Sequence, residues 1–288
     1  VTGPLALQDD PLLRAREHID AHLFEALSLP AVAAEAGLSA FHFSRAFGAR
    51  FGFSPMAYVR ARRLASAAER LAAKSAPPLI ELAFDCGFDS QEAFTRAFKR
   101  VFGISPGRYR QGEKSPLDPL SLPADDAGVA LEETGLQRKP GLRVAGLRGL
   151  FNLQNNAGIP RLWERLLRRL PLPGQSGQQT YGVCAAAPTR AQPGLFYTAG
   201  VALAPDARKP AGMIVTELEP QTYLVFRQTM TGGPVHPQMR AATRRIWGEL
   251  LPNASCPLAG APDIEFYPED FRPDRAGAWL EWWVPVEA

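Results

Sequence analysis

The segment CGFDSQEAFTRAFKRVFGISP, Cys86–Pro106, repeats a pattern already present fifty residues earlier in AGLSAFHFSRAFGARFGFSP, Ala36–Pro55. Each copy follows a short apolar stretch, PAVAAEA or LIELAFDC, that reads as a helix. That helix runs into Gly37 or Gly87, and glycine accepts the positive φ that a tight helix–helix turn requires. Ser39, and Asp89 or Ser90, are then placed to cap a second helix. In that helix Phe43, Phe47 and Phe51 recur every four residues, as do Phe94, Phe98 and Phe102. Such stripes lie on one helix face and must meet a core. The residues left outward are Ala40, Phe41, Ser44, Arg45 and Gly48 in the first copy. In the second they are Gln91, Glu92, Thr95, Arg96 and Lys99.

Two short helices joined in this way read as a helix-turn-helix, which sets the start of its second helix in the DNA major groove. Arg can fork onto guanine and Gln onto adenine, Glu can accept from cytosine, and Phe41 can meet a thymine methyl. Glu92 also stands three residues after Asp89, the spacing of a capping box, so a structural role is an equal reading. A surface charge is the plain alternative for Arg45 and Arg96; their matching positions in both copies favour DNA. Between the copies, SPMAYVRARRLASAAERLAAK repeats apolar residues at Ala57, Ala61, Leu64, Ala68 and Leu71. Eighteen residues of helix span about 27 Å, close to the ~34 Å between adjacent major-groove segments. Two such units on one chain let a monomer do the work of a dimer; the oligomeric state is otherwise open.

Charge follows the duplication. Residues 1–111 hold 14 Lys and Arg against 11 Asp and Glu, while residues 112–288 hold 18 of each. The excess suits phosphate contacts, and equally a solvated basic surface. The Pro-, Asp- and Ser-rich stretch GEKSPLDPLSLPADDAG, Gly112–Gly128, reads as a linker. The expected division is therefore 1–111, a linker at 112–129, and 130–288. Before the linker everything reads as helix, including DPLLRAREHIDAHLFEAL with Asp10 as cap and Leu12, Ala15, Ile19 and Leu23 on one face.

After it, strand-like runs appear at LRVAGLRG, QTYGVCAAA, LFYTAGVAL, GMIVTEL, TYLVFRQT, DIEFY and AWLEWWVPV. Helical patterns are confined to IPRLWERLLRRL and VHPQMRAATRRIWGELL, which share Arg161-Leu162-Trp163 and Arg245-Ile246-Trp247, eighty-four residues apart. This second duplication predicts an α+β domain of two βαββ-like halves behind an all-α domain.

Residues 12–110 resemble the DNA-binding domain of the AraC/XylS family of bacterial transcription regulators, most strongly over AFDCGFDSQEAFTRAFKRVFGISPGRYR. The resemblance implies that Phe41, Ser44, Arg45, Gln91, Glu92, Thr95 and Arg96 face DNA. Ala40 and Phe41 leave the first helix poor in hydrogen-bonding groups, so the first copy should discriminate less than the second. The βαββ halves and the ending DIEFYPEDFRPDRAGAWLEWWVPVE resemble the GyrI-like effector-binding domain over Leu131–Glu287. An AraC-type domain followed by this one is the Rob-type layout. It implies a cleft between the halves, aromatic walls and an acidic residue for cationic ligands. The implied partners are promoter DNA, RNA polymerase and a small, lipophilic effector, cationic or neutral.

In the last strand, period two sets Trp279, Glu281 and Trp283 on one face and Leu280, Trp282 and Val284 on the other. A carboxylate between two indoles can seat a lipophilic cation. The alternative makes Leu280, Trp282 and Val284 the core face and points Glu281 to water. Trp163, Tyr181, Phe196 and Trp247 are further aromatic candidates for the cleft, or simply core; Tyr197 and Tyr223 are open either way. A second reading makes this domain a hydrolase with Glu281 and a tyrosine activating water, a third a protein-interaction module; regulation without catalysis is the leading one.

No Cys-x-x-Cys, P-loop, Gly-x-Gly-x-x-Gly after a strand or Gly-x-Ser-x-Gly is present. His18 and His22 have a metal-compatible spacing, but no nearby ligands complete a set. No cofactor or metal is expected. Cys86, Cys184 and Cys256 are odd in number and sit among apolar or small residues, which favours buried, reduced thiols and a cytoplasmic protein. No run approaches the ~18 apolar residues of a membrane span.

Overall fold

The computed structural model of the chain describes residues 10–73, 75–113, 115, 117, 120, 128–152, 158–187 and 194–287. The chain divides into two compact units between Ala124 and Asp125. The linker expected at 112–129 falls mostly outside the described residues. Two residues within it are tied to the first unit: Ser115 Oγ donates to the Phe102 carbonyl at 2.8 Å, and Leu120 packs on the first helical core.

The first unit consists of α1 (Pro11–Ala21), α2 (Leu29–Glu35), α3 (Ala40–Phe51), α4 (Pro55–Ala72), α5 (Leu79–Asp85), α6 (Gln91–Phe102) and α7 (Pro106–Arg110). Local chemistry sets most of the starts. Asp10 accepts from the amides of Leu12 and Leu13, with Pro11 in the first turn, where a missing N–H costs nothing. Ser28, Ser39, Ser54, Ser90 and Ser105 each accept from the amide three residues on, capping α2, α3, α4, α6 and α7. Gly37 and Gly87 take φ of 66° and 76° in the two turns, a conformation that costs other residues about 1–2 kcal/mol.

Each copy has its own core, and α4 belongs to both. Tyr58 and Val59 join Phe43, Phe47 and Val32; Leu64, Ala67, Ala68 and Leu71 join Phe94, Phe98 and Phe102. Polar ties reinforce this spine. Asp20 of α1 accepts from Arg62 Nε at 2.8 Å and from the Tyr58 hydroxyl at 3.1 Å. Arg63 donates to the carbonyls of Leu23 and Glu25, and its own carbonyl accepts from the Cys86 thiol. Burial, then Asp20, pushes the Tyr58 phenol up to about 12; burial pushes the Cys86 thiol up to about 11. Cys86 and Cys184 are buried, but Cys256 is only half-buried.

The second unit holds β1 (Ala130–Lys139), β2 (Leu142–Asn152), α8 (Ile159–Leu167), β3 (Gln175–Ala187), β4 (Gly194–Leu203), β5 (Ile214–Leu218), β6 (Gln221–Thr229), α9 (Val235–Arg245), β7 (Asp263–Tyr267) and β8 (Trp279–Pro285). A π turn, Ile246–Leu250, continues α9. The strands form one antiparallel sheet in the order β1-β6-β8-β7-β3-β4-β2-β5. The βαββ duplication is explicit in this order. The halves β2-α8-β3-β4 and β6-α9-β7-β8 meet where β3 pairs with β7. The strand preceding each half is exchanged: β1 flanks β6, and β5 flanks β2. β1 has no counterpart among the strand-like runs of the sequence. It is an edge strand with a bulge between Glu133 and Gly135, so it carries no clean alternation.

Among the described residues no helix is long and apolar enough to cross a membrane, and no three His, Cys, Asp or Glu gather to hold a metal ion. His22 Nδ1 lies 2.9 Å from the His18 carbonyl, and the two rings are tilted by 31° with centroids 4.3 Å apart.

Candidate functional site

The second helix-turn-helix presents a clear outer face. Phe94, Phe98 and Phe102 of α6 are buried, which leaves Glu92, Arg96 and Lys99 exposed and Gln91 and Thr95 half-exposed. Ser90, not Asp89, is the cap, so Glu92 is not in capping-box register. Its carboxylate accepts from its own amide and from the Ser90 hydroxyl, and these bonds hold its pKa below the usual range. Glu92 is thus bound up with the helix start as well as facing outward.

The first copy differs. Ala40 and Phe41 of α3 are half-exposed, as expected. Ser44 and Arg45 were expected outward, and the structure buries them to 1% and 8% exposure. Every residue from His42 to Phe47 is buried, so α3 is covered on both faces. α3 carries two charges, Arg45 and Arg50, where α6 carries four, Glu92, Arg96, Lys99 and Arg100, so less of its surface is held in water. The Ser44 hydroxyl is buried without a hydrogen-bond partner among the described residues.

In the second unit, chemistry gathers on the helix-bearing face of the sheet at the joint between the halves. Glu265 of β7 is 9% exposed. Its Oε2 accepts from the Tyr197 hydroxyl of β4 at 2.5 Å and from the Tyr267 hydroxyl at 2.7 Å. Trp163 of α8 donates its indole N–H to the Tyr197 oxygen at 2.9 Å and stands edge-on to Tyr267, with ring centroids 5.3 Å apart. Phe151 meets Tyr197 edge-on, and Phe271 packs on Tyr267 at 5.0 Å. Burial first, then the neighbouring carboxylate, raises both phenols well above their ordinary pKa. Both therefore stay protonated and keep donating. Space for this cluster comes from Gly182, the register partner of Glu265 on β3. A Cβ there would lie 2.3 Å from the Tyr197 oxygen and 2.6 Å from Glu265 Oε2.

A buried carboxylate held by two phenols and flanked by aromatic rings combines the two attractions, charge pairing and cation–π, that organic cations meet in binding sites. Residues 133–287 match the GyrI-like small molecule binding domain, more than half of the chain. The chain belongs to this family. Residues 32–112 match a helix-turn-helix domain of the AraC type, so the chain carries an AraC-type domain ahead of its GyrI-like domain.

The Right origin-binding protein of Escherichia coli K12 is 44% identical over 127 residues, which cover 41% of this chain and 43% of that protein. The multiple antibiotic resistance protein MarA of the same strain is 37% identical over 107 residues, 36% of this chain and 84% of that protein. The chain thus spans under half the length of the first of these relatives. An integron cassette protein of Vibrio cholerae covers 55% of the chain at 18% identity, with a TM-score of 0.39.

Of the aromatic and acidic residues named in the GyrI-like sequence, Trp163 and Tyr197, the latter left open between cleft and core, join the Glu265 cluster. Trp247 is fully buried. Tyr181, Phe196, Trp279, Glu281 and Trp283 lie on the opposite face of the sheet. There Tyr181, Tyr223 and Trp283 are core, and Phe196 lies beneath Arg148. Glu281 corrects both readings of its strand. It does not point to water: its Oε1 accepts from Arg227 at 2.9 Å, and its Oε2 accepts from the Trp283 indole at 2.8 Å and lies 3.8 Å from Lys139. Arg227 stands over Trp279 and Lys139 over Trp283. The cation seat exists, and its occupants are the chain's own side chains. Burial alone would raise the Glu281 pKa; the indole, Arg227 and Lys139 outweigh it and hold it below the ordinary value.

Glu265, Tyr267 and Phe151 were not singled out from sequence. One signal was available: Glu265 shares a strand face with Tyr267 inside the otherwise apolar run IEFY, an odd place for an acid without a partner.

Proposed function

We propose that the chain is a DNA-binding transcription regulator whose GyrI-like unit binds a small aromatic cation at Glu265 and adjusts DNA binding in response. The observation that carries this is the conjunction, in one chain, of an exposed, capped α6 bearing Gln91, Thr95, Arg96 and Lys99 with a buried carboxylate boxed by aromatic rings. The doubled helix-turn-helix supports binding as a monomer. RNA polymerase is the partner such a regulator acts on at a promoter. Tyr197 and Tyr267 hold Glu265 rather than activate water, which supports binding without turnover.

The test is selection of sites bound by the full chain from random duplex DNA. Recovered sites should share one motif, and affinity for it should fall about 10³-fold between 50 and 200 mM salt as phosphate counterions are released. Recovery of no shared motif would count against the proposal.

A further inference from the structure

The ring of Phe151 lies in a slot hollowed by two glycines. Phe151 stands near the end of β2, two residues after Gly149, so both face the helix-bearing side of the sheet. A Cβ on Gly149 would lie 2.6 Å from the Phe151 ring, and one on Gly158, just before α8, 2.9 Å. Gly149 is the register partner of Tyr197, and the ring meets Tyr197 edge-on at 6.5 Å between centroids. The slot therefore adjoins the phenol that donates to Glu265.

Glycine inside a strand weakens it, and commonly marks a close approach of another group. Here the approaching group is the chain's own phenyl ring. Phe151 is only half-buried, so rotation about χ1 can take its ring out of the slot without unfolding the strand.

We propose that Phe151 occupies, in the free protein, the place that the aromatic ring of the effector takes in the complex. It is thereby the residue that sets the ligand's ring size and its affinity. The inference rests on the binding reading above and adds a competitor to it. The ligand class is a cation joined through one methylene to one flat aromatic ring, the ring replacing Phe151 and the charge reaching Glu265. Because Phe151 must leave first, ligand affinity is lowered by the fraction of molecules in which the slot is filled.

The test compares wild type, Phe151→Ala, Phe151→Leu and Phe151→Trp by titration with benzyltrimethylammonium, whose phenyl matches the phenylalanine ring. Its neutral isostere neopentylbenzene and ringless tetramethylammonium serve as controls, with calorimetry as the readout for all four proteins and tryptophan fluorescence beside it for those without the added Trp. Phe151→Ala should bind benzyltrimethylammonium about tenfold more tightly than wild type, the expected release of a slot filled nine-tenths of the time. Phe151→Leu should gain less, Phe151→Trp should lose, and tetramethylammonium should bind all four proteins alike. Should Phe151→Ala fail to fold, the Leu and Trp variants decide by the same ordering. Wild-type binding that Phe151→Ala weakens or leaves unchanged makes Phe151 a plain wall and overturns the inference alone. Failure of the cation to bind any of the four overturns the binding reading beneath it.

Discussion

Replacing Gly182 by alanine is expected to dismantle the Glu265 cluster while DNA binding persists. The added Cβ would stand 2.3 Å from the Tyr197 oxygen and 2.6 Å from Glu265 Oε2, inside any tolerable contact. Relief by sliding the strand is blocked, because Gly182 faces Glu265 at the β3–β7 seam that joins the two halves. Either the carboxylate leaves its two phenols or the seam opens. Overpacking of this kind costs about 1–3 kcal/mol, and unpaired buried hydroxyls add to it. All five tryptophans, residues 163, 247, 279, 282 and 283, lie in the second unit, so their fluorescence reports its unfolding alone. The fluorescence midpoint in urea should fall clearly, while affinity for a selected DNA site should hold. An unchanged midpoint would mean that the seam yields freely and that Gly182 is not shaped to the site.

Arg96→Ala is expected to cost about 1–3 kcal/mol on the selected DNA site, about five- to more than a hundredfold, and to relax preference at one base pair. Arg96 is exposed on α6, one turn after Glu92, where a guanidinium can reach a base edge. Equal weakening on every sequence would make it a phosphate clamp instead. Arg45→Ala, at the matching position of α3, should behave differently. Arg45 is 8% exposed, so its loss should lower the unfolding midpoint of the first unit more than it alters base preference. Competition binding across a panel of single-base variants, run beside urea unfolding, separates the two effects.

The doubled unit could be read from the chain because its signals are local. Serine caps, turn glycines and phenylalanines four apart recur in both copies, and each acts within a few residues of itself. The strands of the second unit were legible for the same reason, apart from β1, whose place depends on pairing with β6 across ninety residues of chain. The candidate site was harder because it is built from distant partners. Trp279, Glu281 and Trp283 spell a cation seat locally, yet the cations that fill it come from β6 and β1. Glu265 looks unremarkable within DIEFY; its meaning comes from Tyr197 and Gly182, contributed by the other half of the sheet. The covering of α3 is likewise a tertiary fact: Arg45 matches the exposed Arg96 in sequence, and only the surroundings bury it.

Coupling of a small cation to DNA binding through one carboxylate is measured by fluorescence anisotropy of a labelled duplex bearing the selected site. Wild type and Glu265→Gln are titrated onto the duplex with and without saturating benzyltrimethylammonium. The substitution keeps the side-chain shape and an acceptor for the phenols while removing the charge. The cation should shift the DNA affinity of wild type by about fivefold or more, within the usual range of coupling between sites, and leave Glu265→Gln unmoved. A cation that binds wild type yet shifts neither protein's DNA affinity, or shifts both equally, would contradict this coupling.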